Sequence, residues 1–369
     1  MAATPFDNMK RQAAPLMSCG TQPHGEQQRN ISKRFAAERA HLHPRGEIQP
    51  GSIKVNVFAH VVYSSKEGFA STGWVEDADV ERQIEKLNTD FSETDFSYVL
   101  VNISRTQNER WSRFGDEFDM KAALRKGSYG DLNLYILAKS DLWRCKDPKT
   151  GTNSIAGSAN YPHPEGLSPG SKYFIDDGCM VFANSIPGAK GDDEVWPGTI
   201  GFTATHEVGH WHDLVHTFGS PEDECRDPDE LCPYPKEGCN VTKTGCSEPG
   251  DFVDDTPSQR GIIFECTPRA NNSCGLSSPD PLDNFMGYAA FPPCKKYRFT
   301  PGQNLRMRKA WFTYRHGHQA NVTNNSNQPP QTDEKPKVPC EKPKTSPAKP
   351  TKSTAPEGST SSLAGAAGM

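Results

Sequence analysis

The sequence predicts an α+β fold in which a twisted mixed sheet with packed helices precedes an irregular, cysteine-rich region. In the first half of the chain, apolar segments suited to strands alternate with segments of helical spacing, which is typical of a sheet covered by helices. Between residues 219 and 298 the chain is rich in Pro, Gly, Asp and Cys, with few periodic segments. Disulfides and bound ions must stabilise this region where a core cannot.

The predicted elements follow one another from residue 53 onwards. Residues 53–63 alternate between apolar and polar side chains and predict the first strand. A helix follows, with Asp77 and Asp79 as cap candidates. Its core-facing stripe has helical spacing and consists of Val80, Ile84, Leu87 and Phe91. The remaining predicted elements are strands at 98–103 and 132–137, a short helix at 116–126, and a fourth strand within 174–183.

Composition divides the chain into three parts. Residues 1–48 are polar, with one short helix predicted around 32–41, and are interpreted as a leader or pro-segment. Residues 49–318 form the main domain. Its last helix starts at a capping box, Thr300-Pro301-Gly302-Gln303, and runs through Trp311. Residues 319–369 consist mainly of Pro, Lys, Ser and Thr with almost no apolar content, which is typical of a disordered tail.

Composition also indicates an oxidising compartment outside the cell. The chain has 369 residues, 11 cysteines and a net charge of −5. So many cysteines are unusual in a cytosolic enzyme, the charge argues against a nucleic-acid binder, and no apolar run has membrane-spanning length. We predict a secreted, glycosylated monomer, although residues 1–20 lack the apolar core of a signal peptide. The glycosylation sequons begin at Asn30, Asn102, Asn240, Asn271, Asn321 and Asn324.

One segment carries a metal-binding pattern, because residues 206–210 read His-Glu-Val-Gly-His and a third histidine follows at His216. On a helix, His206 and His210 lie on one face about one turn apart, where both can bind one Zn²⁺. The chain must bend after His210 to bring His216 back. Three protein ligands leave one coordination position open, as in catalytic zinc sites, and Glu207 can take a proton from water there. His212 points to another face, so we expect it to contact solvent or a ligand side chain rather than the metal.

Residues 206–216 resemble the metzincin signature His-Glu-x-x-His-x-x-Gly-x-x-His, with Asp213 at the glycine position. Asp tolerates the left-handed backbone that this glycine serves, at a modest cost. The methionine-containing turn found beneath the metal in metzincins matches residues 283–288. Further matches narrow the resemblance to the pappalysin family, and within it to fungal extracellular metalloproteases, over roughly residues 50–315. These matches are Thr203-Ala204-Thr205, His216-Thr217-Phe218, Val253-Asp254-Asp255-Thr256-Pro257, and Phe299-Thr300-Pro301-Gly302-Gln303 with Arg306-Met307.

The resemblance implies a zinc metalloendopeptidase that acts on extracellular proteins and peptides. Its catalytic domain would be the main domain, with the active-site helix above an irregular, disulfide-rich lower subdomain. Glu207 would be the general base, Met286 a floor beneath the metal, and Tyr288 a donor to the oxyanion. A packed, purely structural tyrosine is the alternative for Tyr288. Asp283 and Gly287 depart from the family's usual His and Asp, which puts the hydrogen bonding of the methionine turn in question.

The resemblance also concerns calcium and disulfides. Relatives in this family bind Ca²⁺ near the cleft, and Asp254 and Asp255 are the calcium candidates here. Two disulfides are implied, Cys246–Cys274 and Cys266–Cys294. The cysteines left without an assigned partner are Cys145, Cys179, Cys225, Cys232, Cys239 and Cys340.

Cys19 is a candidate latency switch. Its Cys-Gly-Thr context resembles the leader of relatives in which a cysteine is proposed to cap the metal, and a thiolate can take zinc's open position. Setting Cys19 aside leaves ten of the 11 cysteines, an even number that can pair. The alternative is a disulfide from Cys19 to Cys340 or another partner. Cleavage between Cys19 and Ile53, for example within 43–51, would release the block.

Two other functions fit parts of the sequence. A gluzincin-type peptidase would use a downstream glutamate such as Glu222 as its third ligand, but His216 and the methionine turn argue against it. A non-catalytic, cysteine-rich secreted binding protein on a metalloprotease frame is the other alternative. The three departures from the family pattern support it, and the intact Glu207 argues against it.

Overall fold

Seven strands form one mixed sheet in the part of the chain that the structure describes. The protein is described from a computed structural model, which describes residues 17–19, 21, 26–39, 49–138, 144–147, 151–188, 201–218, 246, 250–260, 263, 272–275, 278–288 and 297–318. The strands are β1 (Met17–Cys19), β2 (Ile53–Tyr63), β3 (Phe96–Gln107), β4 (Leu132–Leu137), β5 (Arg144–Asp147), β6 (Gly151–Ala159) and β7 (Cys179–Phe182).

The sheet is mixed because β6 runs antiparallel to its neighbour β7. The strand order is β1-β6-β7-β4-β2-β3, with β5 paired to β6 outside this path. Strands β3, β2, β4 and β7 run parallel to one another, whereas β6 runs antiparallel to β7. Strand β1, which belongs to the predicted leader, pairs in parallel with β6 and places Cys19 opposite Gly157. The predicted leader thus adds a strand beside β6.

Helices cover the sheet and carry the histidine motif. The α-helices are α1 (Glu26–Arg39), α2 (Asp77–Asp90), α3 (Glu109–Ser112), α4 (Glu117–Leu124), α5 (Lys172–Asp176), α6 (Phe202–Trp211) and α7 (Pro301–Ala310). A π-helical turn, Trp311–Arg315, extends α7, and 3₁₀ turns span Phe69–Thr72, Pro164–Leu167 and Ala183–Ser185. Within the described ranges, no helix is long and apolar enough to cross a membrane.

The main core joins the sheet to α2 and α6. The stripe predicted on α2 is confirmed, because its three aliphatic side chains and the following Phe91 are buried. They share one apolar cluster with the inward-facing residues of β2 and β4 and with Val208 and Trp211 of α6. Each large apolar side chain buried in this way contributes about 1.5–3 kcal/mol. This packing fixes α6, and with it the histidine motif, against the sheet.

The predicted α+β fold is confirmed, and several elements have the predicted bounds. Strands β2 and β4 coincide with the predicted strands at 53–63 and 132–137. Thr300 caps α7 through the predicted capping box with Gln303, and the cap fixes where this helix begins. The predicted tail, residues 319–369, lies outside the described residues.

Other elements differ from the predictions for identifiable reasons. The strand predicted within 174–183 is confirmed as β7, but it is short, because α5 extends to Asp176 and the strand begins only at Cys179. The N-cap of α2 is Glu76 rather than Asp77, in a capping box with Asp79. Strand β6 has no alternating apolar pattern, because most of its residues are Gly, Ser, Thr, Asn and Ala, so the sequence does not signal it.

Candidate metal centre and active site

Helix α6 brings the first two histidines together. It begins after Gly201, whose φ of 76° turns the chain into the helix. His206 and His210 lie one turn apart, and their Nε2 atoms are 3.1 Å from each other. The helix is held from α2, because the Gln83 side chain donates to the Gly201 carbonyl (3.1 Å) and Thr205 donates to Asp90 (2.6 Å).

A turn at Asp213 returns the chain to the metal centre. Asp213 has a φ of 78°, in the left-handed region, and its N–H donates to the His210 carbonyl (2.8 Å). The bend expected after His210 is therefore present. It places His216 Nε2 3.2 Å from His206 Nε2 and 3.1 Å from His210 Nε2. Arg306 supports the strained residue: its Nε donates to the Asp213 carbonyl (2.7 Å), and its Nη2 lies 3.0 Å from the Asp213 carboxylate.

The outer nitrogens of two histidines are held by carbonyl groups. His206 Nδ1 lies 2.7 Å from the Phe285 carbonyl, and His210 Nδ1 lies 2.7 Å from the Leu214 carbonyl. A carbonyl only accepts hydrogen bonds, so each Nδ1 carries the proton and each Nε2 presents a lone pair. Burial lowers the pKa of His206 to about 4. Burial, with repulsion from His206, lowers the pKa of His210 well below its usual range. Both rings are therefore neutral at physiological pH.

This donor set fits a zinc ion. The lone pairs that His206 and His210 direct at each other over this distance repel one another unless a cation lies between them. Tetrahedral zinc binds imidazole nitrogens at about 2.0–2.1 Å, which sets neighbouring ligand nitrogens roughly 3.3 Å apart. Among the described residues, these histidines are the one set of three or more His, Cys, Asp or Glu side chains that lies close enough together to hold a metal ion.

The methionine turn forms a floor beneath α6. Met286 is fully buried, and a Cβ atom added to Gly209 would overlap Met286 Sδ. The motif's variable position must therefore stay small for the helix to approach the turn. Sequence reasoning did not assign this role to Gly209. Its signal is a glycine inside a helix, which costs about 1 kcal/mol relative to alanine and so usually has a packing reason.

The hydrogen bonds of the methionine turn are intact despite Asp283 and Gly287. Asn284 exchanges two side-chain hydrogen bonds with Gln303 of α7 (2.9 and 3.0 Å), and Asn284 Oδ1 accepts from the Met286 N–H (2.9 Å). Gly287 N–H donates to the Asn284 carbonyl (3.0 Å). Asp283 pairs with Arg298 at the surface (3.2 Å). The two departures thus leave the turn closed, with Gln303 joining it to the cap of α7.

Glu207 lies between His206 and His210 on α6 and contacts Thr21 of the predicted leader. Its side chain is buried, and its Oε2 accepts a hydrogen bond from the Thr21 hydroxyl (2.8 Å). Thr21 Oγ1 accepts in turn from the Ala159 N–H of β6 (2.8 Å). A Cβ atom on Gly157 would lie 2.9 Å from Glu207 Cγ, so the carboxylate stem packs directly on β6. The sequence alone does not assign Thr21 and Gly157 to the site.

Tyr288 places its hydroxyl at the metal centre. The oxygen lies 3.2 Å from His216 Nε2, the nitrogen that faces the other two histidines. The ring packs against Phe218, with centroids 5.1 Å apart. The hydroxyl is therefore available to the site, while the ring is fixed by packing.

A buried ion pair between Arg315 and Asp177 supports the C-terminal end of α6. Arg315 Nη2 is 2.9 Å from Asp177 Oδ1 and donates to the carbonyl of Trp211, the last residue of the helix (3.1 Å). The Trp211 indole donates to Asp177 Oδ2 (3.2 Å). His212 lies on this side too: it is buried, and its Nε2 is 3.0 Å from the Tyr98 hydroxyl. The expectation that His212 faces solvent or a ligand side chain is wrong, because its ring is buried among the aromatic rings of Phe96, Trp211 and Trp311.

The calcium candidates have other partners. Asp255 accepts hydrogen bonds from the Thr300 hydroxyl (2.7 Å) and the Gly302 N–H (2.8 Å), so it caps α7. Asp254 is exposed. Calcium at these residues stays a prediction.

The cysteines are described in part. The predicted disulfide Cys246–Cys274 is confirmed, with Cα atoms 5.4 Å apart. Cys179 is a buried free thiol in β7, so setting Cys19 and Cys179 aside leaves nine of the 11 cysteines, an odd number. The parity argument for Cys19 is therefore wrong. Several residues that the sequence raised lie outside the described ranges, namely Cys225, Cys232, Cys239, Cys266, Cys294, Cys340 and Glu222.

Comparisons with known proteins agree with this geometry. The family model Peptidase M43, pregnancy-associated plasma protein-A, matches residues 142–311. An extracellular metalloprotease of Verticillium alfalfae is 34% identical over 84% of this chain and 93% of its own length. Extracellular metalloprotease 1 of Coccidioides posadasii is 35% identical over 72% of this chain and 79% of its own length.

A solved structure supports the fold. A promirolysin mutant from Tannerella forsythia matches with a TM-score of 0.54 at 22% identity, over 81% of this chain and 94% of that chain. The family model and the relatives confirm the resemblance inferred from the histidine motif and the methionine turn. The chain belongs to the pappalysin family of metallopeptidases, peptidase family M43.

Proposed function

We propose that the protein is a secreted zinc endopeptidase that hydrolyses peptide bonds of extracellular proteins. The observation that carries this proposal is the convergence of three histidine Nε2 atoms, 3.1 to 3.2 Å apart, with Glu207 on the same helix. When held by these histidines, Zn²⁺ supplies a Lewis acid for the scissile carbonyl and lowers the pKa of a water molecule. The extracellular relatives support secretion.

Glu207 acts as the general base. Its buried carboxylate already accepts a hydrogen bond from one hydroxyl, that of Thr21 (2.8 Å). With Thr21 displaced, the same oxygen accepts the proton of the attacking water and then passes it to the leaving amine. The contact between Gly157 and the Glu207 stem holds the carboxylate beside β6 during both transfers.

Tyr288 donates its hydroxyl proton in a hydrogen bond to the oxyanion that develops on the scissile carbonyl. Packing against Phe218 holds the ring in place, with its hydroxyl beside the three histidines.

The leader keeps the enzyme latent in this proposal, with Cys19 as the switch. The backbone of Cys19 pairs with Gly157 of β6, the residue that packs on Glu207. Two residues later in the chain, the Thr21 hydroxyl donates a hydrogen bond to Glu207, the proposed general base. From this position the Cys19 thiolate would take zinc's open coordination position, and a cut between Cys19 and Ile53 would begin activation. A disulfide from Cys19 to Cys340 or another partner is the competing arrangement.

Three further predictions accompany the proposal. Asp254 and Asp255 stay candidates for calcium. Asn30 and Asn102 are exposed, as glycan attachment requires, and are the sequons that the described residues offer. The enzyme is expected to act as a monomer.

A proteolysis assay tests the proposed function. Protein freed of residues 1–48 should cleave casein, lose this activity to 1,10-phenanthroline, and regain it when one equivalent of Zn²⁺ is restored. Cleavage that persists through chelation would contradict zinc catalysis. Absence of cleavage by zinc-loaded protein would favour a non-catalytic binding role.

A further inference from the structure

The leader contacts the rest of the protein at two separate places. The first is the cleft, where β1 pairs with β6 and Thr21 binds Glu207. The second is α1 (Glu26–Arg39). It packs against α7 and the π-helical turn, which are distant from it in sequence. Residues 22–25 alone separate the two contacts in sequence. While one segment of the leader is bound, the other segment therefore stays close to its own binding site.

Phe35 provides the apolar part of the α1 contact. It is 3% exposed and shares a buried cluster with Tyr129, Ala310 and Tyr314. The Lys309 ammonium lies 4.5 Å from the centre of the Phe35 ring. A phenylalanine buried in a pocket of aromatic residues, with a cation above it, is typical of the residues that contribute most to a binding interface.

Ser32 provides the polar part. It lies three residues before Phe35, on the same face of α1, and is fully buried. Its hydroxyl accepts a hydrogen bond from Arg306 Nη2 (2.6 Å), the guanidinium that also binds the Asp213 turn. Arg306 is itself 2% exposed, and its Nη1 donates to the Asp251 carbonyl (3.2 Å). Ser32 therefore completes the hydrogen bonding of a buried cation that supports the zinc-ligand turn.

We propose that α1 is a docking element that keeps the leader bound after the chain is cut between residues 40 and 48. Its binding site on the catalytic domain is the groove lined by Tyr129, Arg306, Ala310 and Tyr314. The proposal rests on the latency proposed above and adds that a single cut after α1 does not activate the enzyme. Such a cut leaves both contacts in place and joined, so the cleft segment rebinds faster than it is lost. Activation then requires α1 to leave its groove, or a second cut within residues 22–25.

The test uses full-length protein in which residues 43–48 are replaced by the recognition sequence of a site-specific protease. After complete cutting, gel filtration with mass spectrometry measures whether the leader stays with the catalytic domain, and a peptide substrate measures activity over time. The cut protein should retain its leader and stay inactive. Ser32→Ala and Phe35→Ala should each release the leader and gain activity about tenfold faster or more.

Asn30→Gln is the matched control. Ser32→Ala also removes the sequon at Asn30, whereas Asn30→Gln removes the sequon and leaves Ser32 in place. This control should behave as the cut parent protein. Immediate loss of the leader from the cut parent would overturn the docking proposal, as would equal release rates for the parent and the Phe35 variant.

The retention measurement separates this proposal from the proposed function. If uncut protein is as active as protein lacking residues 1–48, latency fails. If no form cleaves the substrate, the peptidase assignment fails. In both cases gel filtration still reports whether α1 holds the cut leader, so docking is confirmed or refuted on its own.

Discussion

Two regions of this protein bury histidine side chains, and they use them in opposite ways. In the sheet, His60 has a partner at each ring nitrogen: Ser104 Oγ lies 2.7 Å from Nδ1, and Asn133 Oδ1 lies 2.9 Å from Nε2. At the end of α6, three histidines instead turn their Nε2 atoms toward one another. Burial lowers the pKa of His60 and of His206 to about 4 in both places.

The comparison separates what marks a metal site from what does not. Burial and a lowered pKa are common to both regions, so neither property identifies a ligand. The distinguishing feature is the convergence of three ring nitrogens within 3.1 to 3.2 Å of one another, an arrangement that a bound cation stabilises. His212 agrees with this distinction, since it lies two residues from His210 yet its Nε2 contacts a tyrosine hydroxyl within an aromatic core.

The largest effect that tests this distinction is expected at Glu207. Glu207→Ala should lower kcat/KM by about 10²- to 10⁴-fold, the usual contribution of a general base. The zinc content should stay at that of the parent, because the histidines are unchanged. The measurement is peptide hydrolysis together with metal analysis. Near-normal turnover by the zinc-loaded variant would remove Glu207 from the mechanism.

A second test asks whether Tyr288 belongs to the reactive region or only packs against it. Tyr288→Phe should lower kcat by about 10²-fold with little change in KM, because an oxyanion donor acts in the transition state. Tyr161→Phe is the matched control: its hydroxyl lies 3.2 Å from His210 Nδ1, on the ring edge that faces away from the other ligands. Steady-state kinetics of both variants distinguish an oxyanion donor from a packing residue. An unchanged kcat for Tyr288→Phe would assign Tyr288 a packing role.

The third test uses the pH dependence of the histidine in the sheet. Burial lowers the pKa of His60 from 6.5 to about 4, so the unfolded chain takes up a proton at a higher pH than the folded one. Stability is therefore lost as the pH falls from 6.5 to 4, by about 3 kcal/mol at most. Urea unfolding at several pH values should show a smaller loss for His60→Gln than for the parent. Parallel pH profiles would contradict this role for His60.

The smallest expected effect concerns the floor of the metal centre. Gly209→Ala should cost about 1–2 kcal/mol of stability, because the added methyl group overlaps Met286 and the gain in helix propensity offsets only part of the strain. Thermal unfolding of Gly209→Ala, of Met286→Ala and of the double variant measures the coupling free energy between the two positions. Simple additivity of the two substitutions would show that the overlap is relieved elsewhere.

Much of the metal centre can be predicted from the sequence because it is encoded locally. A four-residue spacing on a helix fixes His206 and His210, and the left-handed tolerance of Asp explains the bend to His216. The apolar stripe of α2 and the capping box of α7 are local patterns of the same kind. Each of these predictions needs only the geometry of one element.

The remainder depends on contacts between distant segments. Thr21 reaches Glu207 across 186 residues, and Ser32 reaches Arg306 across 274. No periodicity marks either pair. Strand β6 owes its place to pairing with β7 and β1 rather than to its own composition. The burial of His212 likewise follows from the aromatic residues that β3 and the π-helical turn supply.

Metal analysis of two histidine variants tests the central claim most directly. His216→Ala removes one converging nitrogen, whereas His212→Phe removes a neighbouring buried imidazole and keeps an aromatic ring among Phe96, Trp211 and Trp311. In folded, full-length protein, His212→Phe should retain about one zinc per chain, and His216→Ala should lose it. Zinc retained by His216→Ala and lost from His212→Phe would contradict the assignment of the metal to the three converging histidines.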